Sequence, residues 1–147
     1  HEMQRGHAAD LRVARLVWRQ VGMHQRFPAP LQYGDLRALG HETHMIWGNS
    51  TDSDVIAQVT RLGPFDAILI DGDHRLPGLT EDWNNYGPLG RMIAFHDIGW
   101  RRAETWVGTR IDVPEFWADL KPHYERTVEF TTCPTGKNNG IGVLWRT

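Results

Sequence analysis

The sequence predicts an α/β domain built on a largely parallel sheet. Two near-continuous apolar runs, Phe65 to Ile70 and Arg91 to Phe95, read as strands covered on both faces. Stretches of three- and four-residue apolar spacing alternate with them, and two strand-like segments around a turn follow. Strand and helix in alternation, then an antiparallel pair, is the pattern of an α/β sheet. The 147 residues fit a single domain, 1–147, large enough to bury a core.

Taken in order, Leu11, Ala14, Val17 and Val21 recur at helical spacing. They predict an amphipathic helix from His7 to Val21, ended by Gly22 and the loop Phe27-Pro28-Ala29-Pro30. Leu31 to Leu36 suits a short strand, weakened by Gly34. Thr43 to Trp47 reads as a strand that leaves through the turn Gly48-Asn49-Ser50-Thr51. Asp52 or Ser53 then caps a helix through Val55, Ile56, Val59 and Leu62, and Gly63-Pro64 stops it. A helix over Leu79 to Tyr86 follows the first apolar run and is broken by Gly87-Pro88. After the second run, Phe116, Trp117 and Leu120 mark another helix. Arg126 to Thr131 and Gly140 to Trp145 are the closing strands, with a turn over Cys133 to Asn139 between them.

Composition narrows the function classes. Hydrophobic residues at 40% and charged residues at 23% are ordinary for a soluble globular protein. A formal net charge of −2 offers no basic surface to nucleic acid or an anionic membrane. The lone Cys133 has no internal disulfide partner, which predicts a reducing, cytoplasmic setting. No apolar run approaches the ~18 residues of a membrane span, and the first residues lack a signal-peptide pattern. Seven Trp are expected to serve packing. Of eight His, His74 and His96 alone sit where chemistry is expected.

In an open parallel sheet, ligands bind beyond the carboxyl ends of the strands. Three expected strand ends carry polar clusters: Gly48-Asn49-Ser50, Asp71-Gly72-Asp73-His74 and His96-Asp97. A single Asp at such a place is as readily a helix cap or an Asx turn. Acids and imidazoles far apart in sequence, gathered on one rim, point to a site.

The stretch Phe65 to His74, with Asp82-Trp83, Tyr86-Gly87-Pro88-Leu89 and Ile93-Ala94-Phe95-His96-Asp97, resembles the class I S-adenosylmethionine-dependent methyltransferases. It is most similar to the subgroup with an Ile-Asp-Gly-Asp-His fourth strand and a Phe-His-Asp fifth strand, the cephalosporin-hydroxylase-like and sugar or small-molecule O-methyltransferases. Trp47 to Ser50 matches the end of their third strand, and Gly140 to Trp145 their last, antiparallel strand. The resemblance implies a Rossmann-like, mostly parallel sheet and methyl transfer to the hydroxyl of a small-molecule or sugar acceptor. It implies that Asp35 binds the cofactor ribose, that Gly48, Asn49 and Ser50 lie along the adenine, and that Asp71 sits near the sulfonium. It further implies a divalent cation on Asp71, His96 and Asp97, and His74 as the base. Two carboxylates suit Mg²⁺, whereas an imidazole ligand leans toward Mn²⁺, Fe²⁺ or Zn²⁺. His96 is read equally as a ligand or as the group that holds Asp97.

The family's glycine-rich turn after the first strand is not found: before Gly34 the glycines are Gly6 and Gly22. The expectation is a sheet lacking its first strand, as the C-terminal portion of a longer fold, as a truncation that needs a partner chain or homo-oligomer, or as a fold that has lost its cofactor. An open sheet of this kind favours association. Other classes fit less well. Asp71-Gly72-Asp73 echoes the haloacid-dehalogenase phosphatases, but Arg75 stands where they carry Thr or Val. A His-Asp phosphohydrolase would carry its ligands on helices, yet His96-Asp97 ends a strand. The serious competitor is a non-catalytic methyltransferase-like module, with Trp100, Trp106 and Trp117 as a contact surface.

Overall fold

The computed structural model describes residues 44, 46–99, 110–131 and 140–146, together with the backbone of 13–17, 105–106 and 109. The sheet strands are β1 (Val13–Val17), β2 (Phe65–Asp71), β3 (Gly90–His96), β6 (Thr127–Phe130) and β7 (Ile141–Trp145). A separate two-stranded ribbon is formed by β4 (Thr105–Trp106) and β5 (Thr109–Arg110). The helices are α1 (Ser53–Leu62), α2 (Leu76–Tyr86) and α3 (Val113–Leu120).

The five strands run in the order β1-β2-β3-β7-β6. β1 and β2, and β2 and β3, pair in parallel; β7 is antiparallel to both β3 and β6. The fold is α/β, but the sheet is evenly mixed rather than largely parallel. β6 and β7, consecutive in chain order, pair antiparallel.

Each element is accounted for by what it buries. Ile68 and Ile70 of β2 and Ile93 and Phe95 of β3 alternate onto one face and are almost wholly enclosed. Val55 and Val59 of α1, Leu79 and Tyr86 of α2, and Val113 and Trp117 of α3 meet that face at helical spacing. Phe95 is the hub, with ring centroids of Trp83, Phe116 and Trp117 at 5.6–5.8 Å. Burying such side chains contributes about 1.5–3 kcal/mol apiece. Gly142 on β7 lets the Trp117 indole lie flat on the sheet, because a Cβ there would stand 2.6 Å from the ring.

Several expectations need correction. Residues 13–17, expected within a helix from His7 to Val21, form β1 on the edge of β2. Val13, Ala14, Leu16 and Val17 satisfy a strand as well as a helix. Open backbone groups on β2 favour pairing over an isolated helix, which is marginal in water. The edge beside β2, expected to lack its strand, is therefore occupied. In the expected strand Thr43 to Trp47, the described residues His44, Ile46 and Trp47 belong to no strand, and Trp47 is 83% exposed. α2 starts at Leu76, three residues before the expected Leu79, because Pro77 suits a helix's first turn. Trp117 is core, not contact surface. The expected strand at Leu31 to Leu36, Asp35 and the turn Cys133 to Asn139 lie outside the described residues, as do the side chains of Trp100 and Trp106. Among the described residues, no helix is long and apolar enough to cross a membrane.

Candidate active site

Parallel pairing brings the chemistry together. β2 ends on Asp71 and β3 on His96, and the register that sets Ile70 beside Phe95 delivers both at the same height of the sheet. The chain then turns at Asp97, whose φ of 66° is left-handed, a conformation Asp tolerates better than most residues. The Asp97 N–H donates to the Gly140 carbonyl at 2.9 Å, so the residue preceding β7 holds the turn after β3.

Two imidazoles and two carboxylates alternate around this rim. His96 Nδ1 stands 2.9 Å from Asp97 Oδ1 and 3.5 Å from Asp71 Oδ1. His74 Nδ1 is 3.4 Å from Asp97 Oδ2, and its Nε2 is 3.5 Å from Asp71 Oδ1. Asp97 is buried, whereas Asp71, His74 and His96 keep a quarter to a third of their side chains open to solvent. His74 Nε2 is itself enclosed without a hydrogen bond of good geometry. In such a partly dry setting each charge acts strongly on its neighbours.

Asp112 brackets His74. The Asp112 N–H donates to the His74 carbonyl at 2.8 Å, and Asp112 Oδ2 accepts the Leu76 N–H at 2.9 Å. The Arg110 guanidinium pairs with both Asp112 and Glu115, which fixes the Asp112 carboxylate in turn. Asp73 turns aside and pairs with Arg75. Burial pushes the Asp73 carboxyl up, but the Arg75 guanidinium outweighs it and holds it below the usual carboxylate range.

The turn Gly48-Asn49-Ser50 is closed on itself and tied to α2. The Asp52 N–H donates to the Asn49 carbonyl at 3.0 Å, and the Asn49 side chain accepts the Thr51 N–H at 3.3 Å. The Tyr86 hydroxyl donates to the Ser50 carbonyl. Asp82 is 2% exposed. Burial, chiefly, pushes the Asp82 carboxyl up. Burial likewise pushes the Tyr86 hydroxyl up to about 12, helped by the charges of Asp82 and Asp52.

Asp71, His74, His96 and Asp97 thus come together, while Ser50 is tied to Tyr86 at the end of α2. Among the described residues, no three His, Cys, Asp or Glu side chains are arranged as ligands about one point. The residues that the sequence reading passed over are Asp82 and Asp112. A signal existed for each. Asp82 lies between Leu79 and Tyr86 on an otherwise apolar stripe, and Asp112 precedes Val113-Pro114, the signature of a helix start.

No protein-family model matches the chain, and no curated protein matches it. Among solved structures it is similar to the MycE methyltransferase of the mycinamycin biosynthetic pathway in complex with Mg and SAH, at 19% sequence identity and a TM-score of 0.40. That likeness covers 69% of this chain, which spans 32% of the other.

Proposed function

We propose that this chain carries the acid–base half of a methyl-transfer site, acting on the hydroxyl of a small molecule or sugar with S-adenosylmethionine as donor. The observation that carries the reading is the meeting of Asp71, His74, His96 and Asp97 at 2.9–3.5 Å on the carboxyl rim of β2 and β3. Bound there, the cofactor supplies an electrophilic methyl group. His74, whose side chain is a quarter open to solvent, would take the proton of the acceptor hydroxyl as that oxygen is methylated. A carboxylate faces each nitrogen of that ring, Asp71 at Nε2 and Asp97 at Nδ1, and the pair offers counter-charge to the imidazolium that would form. At 3.4 Å the Asp97 contact is long for a hydrogen bond, and such contacts tighten when substrate excludes water.

Gly48, Asn49 and Ser50 are assigned to the nucleoside end of the cofactor and Asp71 to its sulfonium, with Asp35 on the ribose. Asp71, His96 and Asp97 supply the donor types for a divalent cation. As placed, however, nitrogen faces oxygen in pairs rather than around a shared centre, so no step is routed through a metal.

A second reading, a module that acts by binding another protein, is favoured by the exposure of Val128, Phe130 and Ile141 on the β6–β7 hairpin. Calorimetry with S-adenosylhomocysteine, with and without Mg²⁺ or Mn²⁺, separates the two. Saturable heat with one-to-one stoichiometry supports the transfer site. No heat under any condition would end it.

A further inference from the structure

We propose that Trp47 is a stacking platform for the purine ring of the cofactor, its indole held out beside the 48–51 turn to receive the base on its face. The inference rests on the proposed function, which places the cofactor's nucleoside end along that turn.

Large aromatic side chains dominate buried area in most proteins, and the other tryptophans with described side chains follow that rule. Trp117 is enclosed, Trp83 packs against Phe95, and Trp145 is half-buried under the Arg126 guanidinium, which lies 4.1 Å from its ring centroid. Trp47 is 83% exposed. Its neighbours explain how it is held there. Ile46 packs against the core, and Gly48 backs onto α1 so closely that a Cβ would stand 2.5 Å from Val55. The backbone is therefore anchored on both sides of Trp47. The indole has only two side-chain torsions left to settle when it meets a ligand, so little entropy is lost on contact.

A lone apolar side chain on a surface needs no explanation, but this one directly precedes a turn whose own polar groups are engaged. The Asn49 N–H donates to Asp52 Oδ2 at 3.3 Å, and the Asn49 carbonyl accepts the Asp52 N–H at 3.0 Å. The Asn49 side-chain oxygen accepts the Thr51 N–H, and the Ser50 carbonyl accepts the Tyr86 hydroxyl. With these groups satisfied internally, the turn has little hydrogen bonding left to read the edge of a base. What it can give a nucleoside is a rigid border and, beside it, an aromatic face. Stacking tolerates a change of base, because every base presents a π-face. The purine is thus held by its plane more than by its substituents.

The test uses the whole chain, with calorimetry against S-adenosylhomocysteine and its inosine counterpart, S-inosylhomocysteine. Trp47→Ala is expected to weaken S-adenosylhomocysteine by about 5- to 150-fold, the worth of one stacked base. The thermal midpoint should hold, because an exposed side chain contributes little to stability. Trp47→Phe keeps a ring and should recover most of the affinity, whereas Trp47→Leu, apolar without a ring, should not. The inosine counterpart lacks the exocyclic amine and should bind within a few-fold of the adenosine form. The emission lost in Trp47→Phe reports this one indole, and in the wild type that component should be quenched as the ligand saturates. Undiminished binding in Trp47→Ala, or equal binding in Trp47→Leu and Trp47→Phe, overturns the platform but not the proposed function. A lowered midpoint in Trp47→Ala makes the residue structural and overturns the platform too, as does an inosine form that binds far more weakly. A wild-type chain that gives no heat with the ligand overturns both, so the wild-type titration separates the two failures.

Discussion

Asp97 and Gly140 are joined by a 2.9 Å N–H···O bond, and both sit in the left-handed region, at φ 66° and 64°. Two bends from distant parts of the chain are thus pinned to each other. Asp97 places its carboxylate between His74 and His96 because of that pin.

Gly140→Ala should therefore harm both fold and site. An L-residue at that φ costs about 1–2 kcal/mol, and its Cβ would stand 3.0 Å from the Gly99 nitrogen and 3.1 Å from Ile98. Urea denaturation should show the loss of stability, and ligand calorimetry on the folded fraction should show weakened binding as Asp97 moves. A variant as stable as wild type would refute the strained pairing.

His74→Ala should lower kcat by roughly 10²- to 10⁴-fold, the usual worth of a positioned general base. Affinity for S-adenosylhomocysteine should stay within a few-fold, because the imidazole is assigned to the acceptor rather than to the cofactor. Turnover at the wild-type rate would remove His74 from the chemistry.

Asp112→Ala removes the acceptor for the Leu76 N–H and the partner of Arg110. A loss of about 1 kcal/mol is expected from the missing cap-like bond, with turnover falling further as the 74–76 segment keeps only the backbone bond to the His74 carbonyl. Asp112→Asn keeps the acceptor and should recover most of the turnover. Equal damage in both variants would show that the negative charge, not the bond to Leu76, matters.

Gly142→Ala is an overpacking test. The added methyl would lie 2.6 Å from the Trp117 ring, and forced repacking of this kind costs about 1–3 kcal/mol. It should also disturb the 2.7 Å bond from Trp117 Nε1 to Glu129, visible in tryptophan fluorescence. Pairing it with Trp117→Leu should return part of the loss. No return would place the strain elsewhere.

Asp82 makes a prediction about pH. Burial, chiefly, raises its carboxyl above the ordinary carboxylate value of 3.8. The folded chain therefore holds this proton more tightly than the unfolded chain. Between the unfolded value and the raised one, stability falls as pH climbs. The favourable contribution is complete below the unfolded pKa and gone above the folded one. Asp82→Asn abolishes this slope, so its urea midpoint should gain on wild type from acid to neutral pH. Parallel curves would mean that the carboxyl titrates normally.

The sequence made the site's core legible and part of its frame obscure. Apolar runs ending in Asp71 and His96 declared two strands and their shared rim, because a doubly covered strand leaves an unbroken hydrophobic signature. Helices α1 and α3 were legible from Val55, Val59, Phe116 and Trp117 for the same reason. β1 was not. Val13, Ala14, Leu16 and Val17 fit both periods, and only the partner strand β2, remote in sequence, decides between them. Asp112 escaped because its role lies in contacts made 36 to 38 positions away, to Leu76 and His74. A single chain read alone carries no mark of those.

The place of β7 has a consequence for how the protein matures. β6 reaches the sheet only through β7, and β7 meets β3 along Met92 to His96. The hairpin must dock before Gly140 arrives beside Asp97. Until that latch closes, Asp97 has no reason to adopt its bend, and the four-membered ring of acids and imidazoles is incomplete. Completion of the ring thus arrives together with closure of the sheet.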